Sequence, residues 1–518
     1  MELYFMAFFC KFTFVMGKWL KPALSLLFGA ALWLFWWQVF PQALGFKEQN
    51  QLFLFTSDFL VGRLSVAGGL ADWLADFICQ FSHIIWLGAL LYALVFAGIQ
   101  TLVWRVAGKI EGGRKDVWYP LSFILPVAVI CLMGDLYVTM GYAVAILLAL
   151  ALADIHLSCR SIVFAALAIP AAFWLVGPAA WVFVLIVIFS ERRHILRRAL
   201  VCVPLSAAAL ALFHFTFAVQ YPWKQLLLGI SYYQIPLMQP VGLYVVMALA
   251  VILPLCIAKL PGLGRGAAVC AVAESALILA SGLFFIEKNY DRDTYEILAY
   301  DQLIRNEKWE EVVSRASKYQ PKSDIGCVSV NLALFMTGRM DEMPDFYQVG
   351  TRGLLMPRVR DYISNISTGE AFWRLGFVNE AVRYAFDTQE SIPDLKKSPR
   401  AMMRMVECRI VNGDYKVASK YIDILKHSLF YRGWAEEHEK FLFNDDLVET
   451  DPIYHYLRIV RSGEDYLFHY PEMDKMLARL YAQNNSNIMA AWYYQAWVAL
   501  MKSEDAYKET DTGGAHGS

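Results

Sequence analysis

The chain has 518 residues, 58% hydrophobic and only 18% charged, with a formal net charge of −1. That composition excludes an ordinary water-soluble protein. The net charge by itself says nothing about nucleic acid, but no basic patch interleaved with aromatics and no finger or RNA-binding signature occurs, so no nucleic-acid partner is expected.

The apolar residues form long runs up to about residue 286, and beyond it charge and polarity resemble a soluble domain. Two all-α modules follow: a polytopic membrane helix bundle over residues 1–286 and an all-helical domain over 287–510, with a disordered tail at 511–518. Residues 3–16 are apolar but interrupted by Lys11, and a full-length apolar helix follows with no small-residue cleavage site after it, so 22–41 reads as a retained first span and 2–18 as an interfacial helix. A membrane crossing needs about 20 mostly apolar residues. Nine stretches approach that length: 22–41, 83–104, 118–134, 136–153, 161–176, 178–190, 199–218, 241–258 and 267–286. The fifth and sixth are short and share a turn at Gly177-Pro178.

Lysine and arginine in short loops orient such a bundle. They cluster before the first span (Lys11, Lys18, Lys21) and after the second (Arg105, Lys109, Arg114, Lys115). More follow the fourth (Arg160), the sixth (Arg192, Arg193, Arg197, Arg198) and the eighth (Lys259, Arg265). The alternate loops hold only Lys47, Arg63 and Lys224. The N-terminus is therefore expected in the cytoplasm of a bacterial inner membrane, and residues 287–518 on the far, periplasmic side.

The first external loop, 42–82, is apolar but carries Asp58, Arg63, Asp72 and Asp76. Leu70, Trp73, Leu74, Phe77, Ile78 and Phe81 recur at helical spacing, which predicts an amphipathic helix on the outer interface with Asp72 and Asp76 on its solvated face. His83 opens the second span, and Asp135 sits in the short turn between the third and fourth, where it could cap the following helix. The loop 219–240 brings Lys224, Tyr232 and Tyr233 to the same side. His214 has the position of a packing residue, and Glu274, deep in the ninth span, is expected to face the protein interior.

The soluble half repeats helix pairs around a shared turn, in RLGFVNEAVRYA and VNGDYKVASKYI among others. Gly338, Gly376 and Gly413 are separated by 38 and 37 residues, close to the tetratricopeptide period of about 34, and the domain resembles such a repeat array. Repeat arrays present concave surfaces for partners, so a protein acceptor or envelope partner is expected here. The alternative is a plain helical bundle. Six of the nine cysteines lie in or beside apolar runs, and Cys327 and Cys408 are the candidates for a disulfide in the soluble half.

With TSDFL in the first external loop and GDL between the third and fourth spans, the membrane half resembles the GT-C superfamily of membrane glycosyltransferases. The resemblance covers the topology of residues 22–286. It implies transfer of a sugar from a polyprenyl-phosphate-linked donor, with Asp58 as base and Asp135 orienting base, acceptor or metal. Arg63, Lys224, Tyr232, Tyr233 and His83 would bind the donor. The paired Asp-Glu or Asp-x-Asp patterns of several members are absent, which weakens the case for Mg or Mn. No GxxxxGK[ST] and no GxGxxG opening a helix occurs, as a lipid-linked donor would allow. Two other classes compete: a non-enzymatic membrane-anchored scaffold binding envelope proteins, and a transporter, for which no inverted repeat is visible.

Overall fold

In the computed structural model, residues 20–216, 222–229, 241–263, 267–342, 350–359, 361–393, 396–462 and 468–514 are described. They are helical with no strand among them, and they divide into two compact units. The expected helix at 2–18, and Tyr232 and Tyr233, lie outside the described residues.

The first unit comprises residues up to Glu48 and Thr56–Asp291. Its elements are α1 (Leu20–Val39), α2 (Pro41–Gln49), α3 (Ser57–Leu64), α4 (Gly69–Cys79), α5 (Ile85–Lys109), a 3₁₀ turn (Asp116–Phe123) running into α6 (Ile124–Leu132), and α7 (Met140–Cys159). There follow α8 (Ile162–Val176), α9 (Ala180–Phe189), α10 (Ile195–Thr216), α11 (Trp223–Leu228), α12 (Gly242–Ile257) and α13 (Ala267–Asn289). Among the described residues six helical stretches are long and apolar enough to cross a bilayer: Leu20–Val39, Ile85–Lys109, Met140–Cys159, Ile162–Phe189, Arg192–Thr216 and Val269–Asn289.

The stretch 162–189 is not one rod. A straight helix of that length would hold its ends about 40 Å apart. Instead Arg160, just before it, lies 3.7 Å from Glu191, just after it. The chain reverses at Gly177, whose φ of 62° and ψ of −140° no side chain tolerates well. So α8 and α9 form a hairpin, with both open ends on one side.

Hydrogen bonds and ion pairs tie the helix ends into two layers. One layer joins Lys21 to Asp116 (2.5 Å), Lys109 to Asp154 (2.6 Å), Arg160 to Glu191, the Arg192 amide to Glu111 (3.1 Å) and Trp118 to the Pro261 carbonyl (2.8 Å). This end gathers the arginine-rich loops and is called the basic end below. At the opposite end Lys47 reaches the 133–138 loop, Trp174 donates to the Leu64 carbonyl (2.8 Å) and Trp181 to that of Leu227 (3.2 Å).

The second unit contains residues 292–518 and also 49–55, taken from the first loop. The chain therefore passes between the units three times. This second unit holds α14 (Arg292–Arg305), α15 (Trp309–Lys318), α16 (Asp324–Thr337), α17 (Ser364–Leu375), α18 (Val378–Ser391), α19 (Pro399–Asn412) and α20 (Tyr415–Lys426). It continues with α21 (Arg432–Glu439), α22 (Asp445–Thr450), α23 (Pro452–Val460), α24 (Met473–Gln483) and α25 (Ile488–Gly514). The last helix carries the chain through 511–514, four of the residues assigned above to a tail.

Helices α16, α17 and α19 end in the same way. Gly338, Gly376 and Gly413 have φ of 70°, 96° and 79°. Each donates to the carbonyl three residues back, and the next residue donates to the one five back (Arg339 to Leu334, Phe377 to Phe372, Asp414 to Arg409). These are three Schellman caps, which only a residue at ease in the left-handed region makes cheaply. Two cores share the α17–α18 pair. One packs Phe372 and Leu375 with Val312, Leu334, Leu477 and Tyr493; the other packs Trp373 and Ala381 with Val406, Ile422 and Leu457. Cys327 and Cys408 are both buried and free, one on α16 and one in the second core, so the expected disulfide is absent.

Candidate functional site

Charge in an apolar bundle is costly unless paired, so the buried polar groups of the first unit locate its candidate site. Asp154 and His156 are buried at the basic end, and another group collects at the opposite end. Lys47 is 2% exposed, and its ammonium donates to the carbonyls of Val138 (2.6 Å) and Met133 (3.4 Å). Next to it in sequence, buried Glu48 lies 3.9 Å from the His83 ring. Arg63, in the last turn of α3, pairs with Asp76 on α4 at 2.8 Å, and Asp76 is fully buried. The Arg63 guanidinium also lies 5.2 Å from the Phe59 ring.

Two glycines seat α4. Gly68, with φ of 83°, precedes α4 and donates its amide to the Trp174 carbonyl at 2.8 Å. A Cβ built on Gly177 would stand 3.2 Å from the Gly68 Cα, so the turn of the α8–α9 hairpin and the start of α4 meet backbone to backbone. This seating corrects the expectation of a freely interfacial helix. Ala71, Ala75, Asp76 and Cys79 form a buried face of α4 against the bundle. Asp76 is therefore not on a solvated face: periodicity set it one turn from Asp72, and the α3 arginine covers it.

The residues named from the sequence take separate positions. Thr56 caps α3, its hydroxyl accepting from the Phe59 amide at 3.2 Å, and Asp58 lies exposed in the first turn behind it. Asp58 touches its neighbour Ser57, whose hydroxyl donates to it at 3.5 Å. Asp135 accepts from the Tyr137 amide at 2.9 Å and so closes its own turn; α7 begins five residues later with Thr139 at its cap position. Arg63 is committed to Asp76, and Lys224 is exposed on the short α11. His214 stacks on Trp223 at 4.2 Å, as a packing residue should. Glu274 is half-exposed on α13 and accepts from the Cys270 thiol one turn back at 3.2 Å, rather than from a group in the bundle interior. Among the described residues no group of three His, Cys, Asp or Glu side chains is placed to hold a metal ion.

Sequence reasoning gave no role to Lys47, Glu48 or Asp76. The Lys47-Glu48 pair, two opposite charges in an apolar loop, was the available signal.

The second unit contributes a different feature. Residues 49–55 run along its inter-helix loops: the Leu52 amide donates to the Lys397 carbonyl and the Phe55 amide to that of His427, both at 2.9 Å. Gln51 accepts from buried Lys396 at 3.3 Å, and Leu52 enters the core beside Met402 and Met405. The two carbonyls follow successive helix pairs, so an extended segment spans the loop edge of the stack.

A family model matches residues 16–510, and the chain belongs to that family, described as a family of unknown function (DUF6057). No curated protein and no solved structure matches it.

Proposed function

We propose that the chain is a polytopic inner-membrane protein whose second unit is an extracytoplasmic binding platform of tetratricopeptide-like helix pairs. The bundle crosses nine times, counting α8 and α9 separately and including α6 with its 3₁₀ lead-in and α12. Its basic end faces the cytoplasm, which puts the second unit outside. The observation that carries the platform reading is the bound segment 49–55, whose backbone bonds follow the loop edge of the stack. At that edge two loop carbonyls accept backbone donors from an extended chain, the mode by which main-chain bonds confer affinity and side chains specificity. The bundle's buried charges, meanwhile, are spent on each other.

A second reading, a GT-C-type transferase using a polyprenyl-phosphate-linked sugar, is favoured by one observation. Asp58 is exposed in the first turn of α3, and among the described residues its side chain bonds to Ser57 alone, which leaves it open to an acceptor.

One experiment separates the two. Cells lacking the chain are complemented with the Asp58→Asn/Asp135→Asn double variant. Full complementation supports the platform. Loss of complementation at normal protein level rejects it in favour of the transferase.

A further inference from the structure

The basic end holds more cations than the bundle uses. Arg105 and Lys109 share Asp154, at 2.7 and 2.6 Å. Arg160 and Arg198 share Glu191, at 3.7 and 2.9 Å, and Arg198 also donates inward to the Val187 carbonyl at 2.9 Å. Arg114 donates to the Trp104 carbonyl and covers its ring at 4.6 Å, and Lys21 takes Asp116. Arg192, Arg193 and Arg197 are different. All three are exposed, and no carboxylate among the described residues pairs with their side chains. The two nearest carboxylates in the loop are already engaged: Glu191 as above, and Glu111 on the Arg192 amide.

Their surroundings are equally specific. The three arginines flank the start of α10, a helix most of whose apolar surface the rest of the unit leaves uncovered. Leu196, between Arg193 and Arg197, is 81% exposed, and Leu200, one turn further, is 76% exposed. Exposed arginines thus neighbour exposed leucines at the start of α10. A ligand matching both features is anionic at one end and apolar at the other. Arginine's planar fork suits a phosphodiester, and clustered basic side chains at a membrane surface attract anionic lipid.

We propose that Arg192, Arg193 and Arg197 bind the headgroup of an anionic phospholipid whose acyl chains lie along Leu196 and Leu200. This rests on the membrane reading above. The site lies on the membrane unit at the end away from Asp58 and Asp135, and is independent of whether the protein is a platform or a transferase.

The full-length protein is reconstituted in mixed phosphatidylglycerol and phosphatidylcholine vesicles, extracted gently, and its retained lipids read by native mass spectrometry. Wild type should retain phosphatidylglycerol in preference to phosphatidylcholine. The R192Q/R193Q/R197Q variant should lose at least about tenfold of that preference, and R192K/R193K/R197K should keep most of it. Equal retention by wild type and the glutamine variant overturns the proposal, as does a wild type with no preference. Should the glutamine variant fold poorly, salt serves instead: a preference unmoved by high salt refutes a headgroup site of exposed arginines. Binding of inorganic phosphate in detergent, with no phosphatidylglycerol preference in vesicles, assigns the site to a soluble anion and overturns the lipid. A wild type that does not enter vesicles at all refutes the membrane reading, and the site with it.

Discussion

The two units bury charge in different ways. In the first, Arg63 on α3 pairs with Asp76 on α4. In the second, Glu370 on α17 is shared by Arg374 (3.0 Å) and Arg404, and each arginine has another carboxylate, Glu307 at 2.6 Å and Glu407 at 2.9 Å. Arg400, held by Asp301 at 2.6 Å, adds its field. A pair fails when one partner goes, whereas a mesh redistributes. Beside α4 the first unit uses a pair to hold α3, although at its basic end Arg105 and Lys109 share Asp154, and the second unit cross-links three helices of a stack.

The largest expected effect breaks the pair. Asp76→Asn removes the carboxylate that faces the Arg63 guanidinium and should cost about 3–5 kcal/mol, read as a lowered unfolding midpoint in detergent. Replacing both partners by apolar residues of similar volume should recover most of that loss. A double variant as unstable as Asp76→Asn would mean the pair does more than satisfy itself.

The mesh should give way less. Glu370→Gln leaves Arg374 and Arg404 with their second carboxylates and should cost roughly 2–3 kcal/mol. Its pH dependence sharpens the contrast. Burial by itself pushes the Glu370 carboxyl up, but the guanidiniums of Arg404, Arg374 and Arg400 outweigh it and hold it below the usual carboxylate range. A carboxyl depressed in the folded state stabilises above its unfolded value, about 4.3, and loses that contribution as pH falls through the lower folded value. The stability gap between wild type and Glu370→Gln should therefore be full at neutral pH and close in acid. A gap constant from pH 7 down to pH 3 would contradict the network.

Turns make the same comparison on a smaller scale. Gly413 ends α19 with nothing within reach of an added Cβ, so Gly413→Ala should cost only the left-handed strain, roughly 1–2 kcal/mol. Gly177→Ala adds to comparable strain a close contact with the Gly68 backbone and should cost more, about 2–3 kcal/mol. Equal losses would mean that α4 does not need the glycine contact to seat on the hairpin.

These contrasts also mark what the sequence could convey. The composition break near residue 286 and the arginine-rich loops are properties of one stretch at a time, and the structure gathers those loops at one end of the bundle. The caps at Gly338, Gly376 and Gly413 were equally legible, because a Schellman motif is closed by six consecutive residues. Other features depend on distant partners. Periodicity put Asp76 on the polar face of α4 but could not say that Arg63 would cover that face. By pattern residues 51–64 could form a second amphipathic helix, but only Ser57–Leu64 is helical, and the partners of the extended QNQLFLF, Lys397 and His427, lie about 345 and 372 positions away with no local pattern to announce them. Asp58 and Asp135 stood out as lone carboxylates in apolar loops, and the same isolation suits a turn-closing residue, the role Asp135 has beside Tyr137.

The smallest expected stability effect carries the most functional weight. Asp58 is exposed, Thr56 already supplies the α3 cap, and Asp58→Asn should shift stability by less than about 0.5 kcal/mol. An unchanged unfolding midpoint makes this variant clean: any loss of cellular function then comes from the carboxylate and not from the fold. Asp76→Asn cannot give that answer, since its cost in stability would mask any role in chemistry. If Asp58→Asn protein folds normally and still fails in cells, the exposed carboxylate is used chemically and the transferase reading gains. If it works fully, α3 has a well-placed charge at its positive end, and the search for function moves to the loop edge of the second unit.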